Sequence, residues 1–220
     1  MSKKETEKAI LADEVLGKSE AFVIEHKNKF IIIFVAIIAI VAGYLAYNTF
    51  VAEPREAEAA KAMFKAEQYF VNGDFETALN GDGINAGFLQ VIEDNGGTDV
   101  ANMAYAYAGL CYVQQENYDE AINYLEKYKG GDKLVSPMVK YALGNCYAYK
   151  ENIDKAIKLV LEAADEAENI TVTPKCLFDA AAMYEQQGNA EKAIELYNRI
   201  KNEYPQAPEA ANIERFINAK

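Results

Sequence analysis

The sequence predicts an all-α protein, in which a single N-terminal transmembrane helix is followed by an α-solenoid of about four helix pairs and a C-terminal capping helix. Three observations predict this fold. An uncharged run of 23 residues lies between Lys29 and Glu53. Similar segments then recur at intervals of 35 and 37 residues. The composition is 51% hydrophobic with only 5 Pro and no Trp, which favours helices over disorder or a β-sandwich.

The uncharged run is long enough to cross a membrane. As a helix, residues 30–52 would be about 35 Å long, against a hydrocarbon core of roughly 30 Å. A cleavable signal peptide is disfavoured, because the apolar stretch is too long, 29 residues precede it and no small-x-small site follows it. We therefore expect a cytoplasmic tail at residues 1–29, a retained transmembrane helix at 30–52 and a repeat domain at 53–220.

The basic residues predict the orientation of this anchor. Six Lys precede the span, of which Lys18, Lys27 and Lys29 lie closest, and only three basic residues follow it closely. Because Lys and Arg accumulate on the cytoplasmic side, the N-terminus is expected in the cytoplasm and the repeat domain on the opposite side.

The charge and the inventory of reactive side chains exclude several functions. Residues 1–29 hold six Lys and six acids, so the net charge of −12 lies in residues 53–220, which nucleic-acid phosphates and anionic lipids would repel. The only histidine, His26, precedes the apolar run, which excludes a His-based catalytic or metal site in the acidic body. We expect no enzyme activity, no cofactor and no small-molecule substrate.

The recurring segments share a pattern of small and aromatic residues. Gly109 and Gly144 are 35 residues apart, as are Tyr112 and Tyr147, and Tyr184 follows 37 residues later. An aromatic residue, a small residue, a Tyr and then an Ala nine residues on, with a period near 34, is typical of tetratricopeptide repeats. The corresponding Ala residues are Ala121, Ala156 and Ala193.

The period places the repeats at about residues 53–100, 102–135, 137–172 and 174–207, followed by a cap at 208–220. The first copy is degenerate, with Tyr69 and Ala78 in register. It contains the inserted segment NGDGINAGFLQVIEDNGG, which makes this copy about eight residues longer than the usual period. This segment lacks the acid spacing of a calcium loop and is interpreted as a plain insertion.

Each repeat is expected to be a pair of antiparallel helices. Small residues such as Gly109 and Gly144 should lie where two backbones approach closely, and the tyrosines should fill the space between neighbouring pairs. Ser136 and Thr173, each followed by Pro, are predicted as N-cap residues.

The three cysteines have no CxxC spacing and are odd in number, which argues against a disulfide framework or a zinc site. Cys111 and Cys146 occupy the same repeat position, which ordinarily takes a small buried residue. We therefore expect structural rather than reactive thiols.

The first helix of each pair should line a groove that binds protein partners. At the usual groove-facing positions the chain offers mostly apolar side chains, including methionines, and no Lys/Arg clamp for a C-terminal carboxylate. Such a surface suits an amphipathic helix or an extended hydrophobic segment. The predicted groove residues are Met63, Phe70, Met103, Leu110, Val113, Met138, Tyr141, Asn145, Tyr149, Phe178 and Glu185.

The layout resembles the YfgM-like ancillary subunits of the SecYEG translocon, in the form found in Bacteroidetes-type bacteria. The resemblance is carried by KSEAFVIEHKNK, EPREAEAAKAMFKAEQYF, ALNGDGINAGFLQVI and TPKCLFDAAAMYEQQGNAEKAIELYNRIKNEYP. It implies a bacterial inner-membrane protein whose periplasmic domain passes exported polypeptides from SecYEG to chaperones, with a PpiD-like prolyl isomerase as partner. Burial of all three cysteines in helix interfaces, or a periplasm that forms fewer disulfides, would reconcile them with that oxidising compartment.

Two other functions fit the same sequence. One is an anchored adaptor for envelope assembly or cell division, unrelated to export. The other is a cytosol-facing organelle receptor for targeting sequences, which the reversed topology would favour.

Overall fold

The computed structural model describes residues 26–218, and the chain divides between Pro54 and Arg55 into two units. The first unit contains helix α1, Lys27–Tyr47, followed by a π-helical turn, Asn48–Ala52. Helix α1 is long and apolar enough to cross a membrane, and none of its residues is buried. Residues 1–25, which make up most of the predicted cytoplasmic tail, lie outside the described residues.

The second unit consists of helix pairs. Its helices are α2 (Glu53–Val71), α3 (Phe75–Asn80), α4 (Phe88–Asp94), α5 (Asp99–Gln114), α6 (Tyr118–Leu125), α7 (Val135–Tyr149), α8 (Ile153–Ala167), α9 (Val172–Gln186) and α10 (Ala190–Glu203). A 3₁₀ turn at Pro208–Ala210 and helix α11, Ile213–Asn218, follow. Because residues 26–218 contain no β-strand and the helices form consecutive pairs, the all-α solenoid prediction is confirmed.

The same turn joins the two helices of every pair. One residue adopts a positive φ, and the Asp or Asn that follows accepts a hydrogen bond from the backbone N–H three residues on, which caps the second helix. The positive-φ residues are Gly73, Glu116, Glu151 and Gly188. The capping residues are Asp74, Asn117, Asn152 and Asn189.

Small residues lie where the paired helices approach, as predicted. A Cβ added to Gly109 would be 2.5 Å from Cγ of Leu125, and one added to Gly144 would be 2.7 Å from Cγ2 of Val160. The repeated alanines Ala121, Ala156 and Ala193 are fully buried. These residues therefore set the separation of the two helices in each pair.

The two predicted N-caps are wrong. Helices α7 and α9 begin at Val135 and Val172, so Ser136 and Thr173 lie inside the first turn. The cap comes from an earlier residue in each case. Asp132 accepts hydrogen bonds from the backbone N–H of Leu134 and Val135. Asn169 does the same for Thr171 and Val172.

The hydroxyls of Ser136 and Thr173 brace these caps instead. Ser136 donates to the carboxylate of Asp132 at 3.0 Å. Thr173 donates to the carbonyl of Ala164 at 3.0 Å and accepts from the backbone N–H of Asn169 at 3.1 Å. The sequence pattern identified the correct region but assigned the cap to the wrong residue.

The insertion in the first repeat separates α3 from α4. Asp82 holds the intervening loop, since its carboxylate accepts from the backbone N–H of Asn85 at 2.6 Å, the hydroxyl of Tyr69 at 2.7 Å and the backbone N–H of Ile84 at 2.8 Å. These donors, led by the Asn85 N–H, hold the pKa of Asp82 well below its usual range. The segment is therefore an ordered connection.

The C-terminal helix covers the end of the last pair. Ile213 of α11 is buried, and Phe216 and Ile217 pack against the same core. Phe216 lies edge-on to Phe178 of α9, with ring centroids 5.2 Å apart. Helix α11 thus packs where a further repeat would otherwise continue the stack, which is the role of a cap.

Candidate protein-binding groove

The first helices of three successive pairs form an apolar cavity of about 360 Å³, here called the central cavity. Helix α5 contributes Leu110 and Val113, and α7 contributes Met138, Tyr141 and Asn145. These positions are three or four residues apart, so they share one face of each helix. The start of α9 completes the wall with Val172 and Lys175.

A second cavity of about 580 Å³ adjoins the central cavity, because both are lined by Val113, Tyr141 and Asn145. We call it the distal cavity. It adds Tyr149 and Met183 to the apolar lining. Tyr149 is 67% exposed and stacks on Tyr118 with ring centroids 4.4 Å apart. The two cavities therefore form one continuous groove that leaves large apolar side chains open to solvent.

A polar cluster lies where the two cavities meet. The hydroxyl of Tyr141 donates to the carboxylate of Asp179, and Nζ of Lys175 lies 3.6 Å from the same carboxylate. Burial raises the pKa of Tyr141, and the hydrogen bond to Asp179 adds to this effect. The contact with Tyr141 raises the pKa of Lys175. At neutral pH the phenol therefore stays neutral and the ammonium stays charged.

A third cavity of about 320 Å³ lies between α2 and α5 and is called the acidic cavity. Its apolar lining includes Met63 and Met103, and its walls carry the carboxylates of Glu56, Glu67 and Asp99. Glu56 accepts hydrogen bonds from the backbone N–H groups of Asp99 at 3.0 Å and Val100 at 2.7 Å. This carboxylate therefore caps α5 and fixes its start against α2.

The structure thus brings eight of the predicted groove residues into two places. Six of them line the central and distal cavities, and two line the acidic cavity. The six are Leu110, Val113, Met138, Tyr141, Asn145 and Tyr149, and the two are Met63 and Met103.

The other three predicted groove residues lie elsewhere. Phe70 packs between the first and second pairs, with its ring centroid 5.2 Å from that of Tyr107 of α5. Phe178 packs against Tyr197 and α11. Glu185 lies beside Tyr197, whose pKa is raised to about 12 by burial and by this neighbouring carboxylate. The two aromatic side chains serve internal packing, and none of the three lines the cavities described above.

Asp179 and Met183 are among the lining residues that the sequence reasoning missed. Asp179 follows Lys175 by four residues and Met183 follows Asp179 by four, so all three lie along one face of α9. Because Lys175 lines the groove, the four-residue spacing from it could have identified Asp179 and Met183 as further lining residues.

The three cysteines are free and buried, which agrees with the structural role predicted for Cys111 and Cys146 and extends it to Cys176. Burial raises the pKa of Cys111 and Cys176 to about 12 and that of Cys146 to about 11. Because the thiolate is the reactive form, these thiols are chemically inert at neutral pH. Each lies in a different helix interface of the repeat domain.

Two segments match tetratricopeptide-repeat family profiles, residues 112–169 and residues 175–207. The crystal structure of MamA protein is similar, with a TM-score of 0.57 and 19% identity over 72% of this chain and 78% of that one. The crystal structure of a Podosopora anserina putative kinesin light chain with nearly identical TPR-like repeats is also similar. Its TM-score is 0.56, with 14% identity over 74% of this chain and 84% of that one. No curated protein has a significantly similar sequence.

These findings define the class. The chain carries a tetratricopeptide-repeat solenoid after a helix that is long and apolar enough to cross a membrane. Solenoids of this class are scaffolds for protein–protein interaction.

Proposed function

We propose that this protein is a membrane-anchored, non-enzymatic scaffold that binds protein segments in the groove formed by α5, α7 and α9. The observation that carries this proposal is the central cavity. Its lining is mostly apolar and includes Met138, which is 49% exposed, and the adjoining distal cavity includes Tyr149, which is 67% exposed. An apolar groove rimmed by polar groups is the usual form of a site for a peptide segment.

The proposed setting is the bacterial inner membrane, with the N-terminus in the cytoplasm and the repeat domain in the periplasm. There the scaffold associates with the SecYEG translocon and links exported polypeptides to a PpiD-like chaperone. Support comes from the apolar helix α1, from the six Lys that precede the uncharged span at residues 30–52, and from the resemblance to YfgM-like subunits. The inert thiols suit an oxidising compartment. Anchoring raises the local concentration of the groove near the export site.

The test is co-purification of the tagged full-length protein from membranes after crosslinking in intact cells. We expect SecYEG subunits and a periplasmic chaperone to be recovered with the wild-type protein. Met138→Glu places a charge in the central cavity and should reduce recovery of the chaperone or exported chains several-fold, roughly in line with burying an unpaired charge. Ile84→Glu is the matched control, since Ile84 is 93% exposed in the insertion loop.

Recovery of envelope-assembly or division proteins in place of SecYEG would contradict the export role. Equal recovery with Met138→Glu and Ile84→Glu would show that partners bind outside the groove.

A further inference from the structure

The acidic cavity and the groove differ in charge. The acidic cavity carries Glu56, Glu67 and Asp99, and no Lys or Arg lines it. Among the ion pairs formed within residues 26–218, none involves these three carboxylates. Two backbone N–H groups offset the charge of Glu56, and the N-terminus of α5 favours that of Asp99. Glu67 and Asp99 line the cavity beside Met63 and Met103 with no basic partner of their own.

The central cavity differs from the acidic cavity. Its walls are apolar apart from two amide side chains, the hydroxyls of Tyr141 and Thr171, and Lys175, whose charge is balanced by Asp179. An occupant that reaches both cavities is therefore favoured if it is positively charged at one end and apolar at the other. The whole of residues 53–220 reinforces this preference, since it carries the net charge of −12.

Helix α5 connects the two cavities and gives their separation. Met103 lines the acidic cavity and Leu110 lines the central cavity, seven residues further along the same face. Seven residues of helix span roughly 10 Å, which an extended peptide covers in about three residues. The distance lies within the reach of one short segment.

Side-chain amides favour an extended segment over a helical one. Gln114 and Asn145 line the central cavity, and Asn145 and Gln186 line the distal cavity. A primary amide offers both a donor and an acceptor to a backbone whose N–H and C=O groups are unpaired. An extended peptide has such groups, whereas a helix has already satisfied them internally.

We infer, on the basis of the groove-binding role proposed above, that the preferred occupant is an extended polypeptide segment with a Lys or Arg about three residues from a run of large apolar side chains. The basic side chain enters the acidic cavity, where its methylenes contact the methionines and its charge meets Glu67 and Asp99. The apolar side chains enter the central cavity.

The experiment measures peptide binding by fluorescence anisotropy, with the full-length protein in phosphatidylcholine nanodiscs and empty nanodiscs as background. The probes are the labelled peptides Lys-Lys-Ser-Ser-Leu-Phe-Leu-Leu and Ser-Ser-Ser-Ser-Leu-Phe-Leu-Leu. The wild-type protein should bind the first peptide roughly three- to tenfold more tightly, and added salt should remove most of the difference.

Two double variants with the same charge change test the location. Glu67→Gln with Asp99→Asn should abolish the preference for the Lys peptide and leave binding of the Ser peptide unchanged. Glu58→Gln with Glu195→Gln removes two exposed acids that do not line the cavities, and it should retain the preference. Equal loss in both double variants would overturn the assignment to the acidic cavity.

A further pair of results separates this inference from the groove role. If both peptides bind equally and Met138→Glu abolishes binding, the groove role stands and the charge preference is wrong. If neither peptide binds, both the groove role and the charge preference are wrong.

A peptide with seven Ser between the Lys pair and the apolar run tests the conformation of the bound segment. It should bind more weakly than the peptide with two Ser, and tighter binding would contradict the extended conformation.

Discussion

Glu116 and Glu151 occupy backbone positions that Gly73 and Gly188 hold in the other two pairs. Their φ angles are 58° and 60°, in the left-handed region that glycine adopts freely. A side chain with a Cβ is strained there by roughly 1–2 kcal/mol. The two glutamates are therefore local weak points in a turn that the rest of the chain repeats with glycine.

We expect Glu116→Gly and Glu151→Gly each to raise the free energy of unfolding by about 0.5–1 kcal/mol, since relief of strain exceeds the extra entropy of glycine in the unfolded chain. The measurement is urea unfolding of the full-length protein in detergent, followed by circular dichroism. Glu→Ala at the same positions is the control, because it removes the charge but keeps the Cβ. A similar gain from Ala would attribute the effect to charge repulsion and contradict the strain argument.

At the scale of the element, the start of α7 depends on one carboxylate. Asp132 accepts hydrogen bonds from two backbone N–H groups and from the hydroxyls of Tyr128 and Ser136. These donors, led by the Val135 N–H, hold the pKa of Asp132 well below its ordinary value. A lowered pKa means that the stabilisation is fully present above the ordinary value near 4 and is lost as the pH falls below it.

We expect Asp132→Ala to lower the free energy of unfolding at pH 7 by about 0.5–2 kcal/mol, the usual cost of a lost cap. The difference from wild type should shrink as the pH falls below about 4, where the unfolded chain takes up the proton that the native carboxylate resists. Asp132→Asn should lower the free energy of unfolding by less than Asp132→Ala does, because Asn169 performs the same capping role at α9.

Asn169→Ala is the matched control for the pH dependence, since it removes an equivalent cap with no titrating group. Urea unfolding of each variant between pH 7 and pH 3.5 measures the effect. A pH-independent deficit for Asp132→Ala would contradict the ionic origin of the cap.

The sequence predicted the contacts that form within one helix pair and recur in the next. The spacing of Gly109 and Gly144 was sufficient to place them at close approaches, because each meets a residue of its own pair, Leu125 or Val160. Phe70 and Phe178 could not be placed in this way. Their neighbours come from an insertion and from the terminal helix, where the period no longer applies. Periodicity therefore predicts the interior of the array better than its ends.

At the scale of the whole molecule, charge is distributed differently on the two sides of the apolar span. Residues 1–29 are neutral but rich in Lys, whereas residues 53–220 carry the net charge of −12. The Lys residues near the span favour a cytoplasmic N-terminus. The net negative charge of the repeat domain favours the approach of positively charged partners. These two effects are independent, so each can be changed without the other.

The orientation is tested by proteinase digestion of spheroplasts that express the full-length protein with a tag at either end. We expect the C-terminal tag on the repeat domain to be degraded and the N-terminal tag to be protected. Protection of the C-terminal tag would favour the cytosol-facing receptor in place of the periplasmic scaffold. Lys18→Gln with Lys27→Gln and Lys29→Gln should produce a measurable inverted fraction, because charges within roughly 15–20 residues of the span set its orientation. The equivalent change at Lys3, Lys4 and Lys8 removes three charges farther away and should leave the topology as in the wild type.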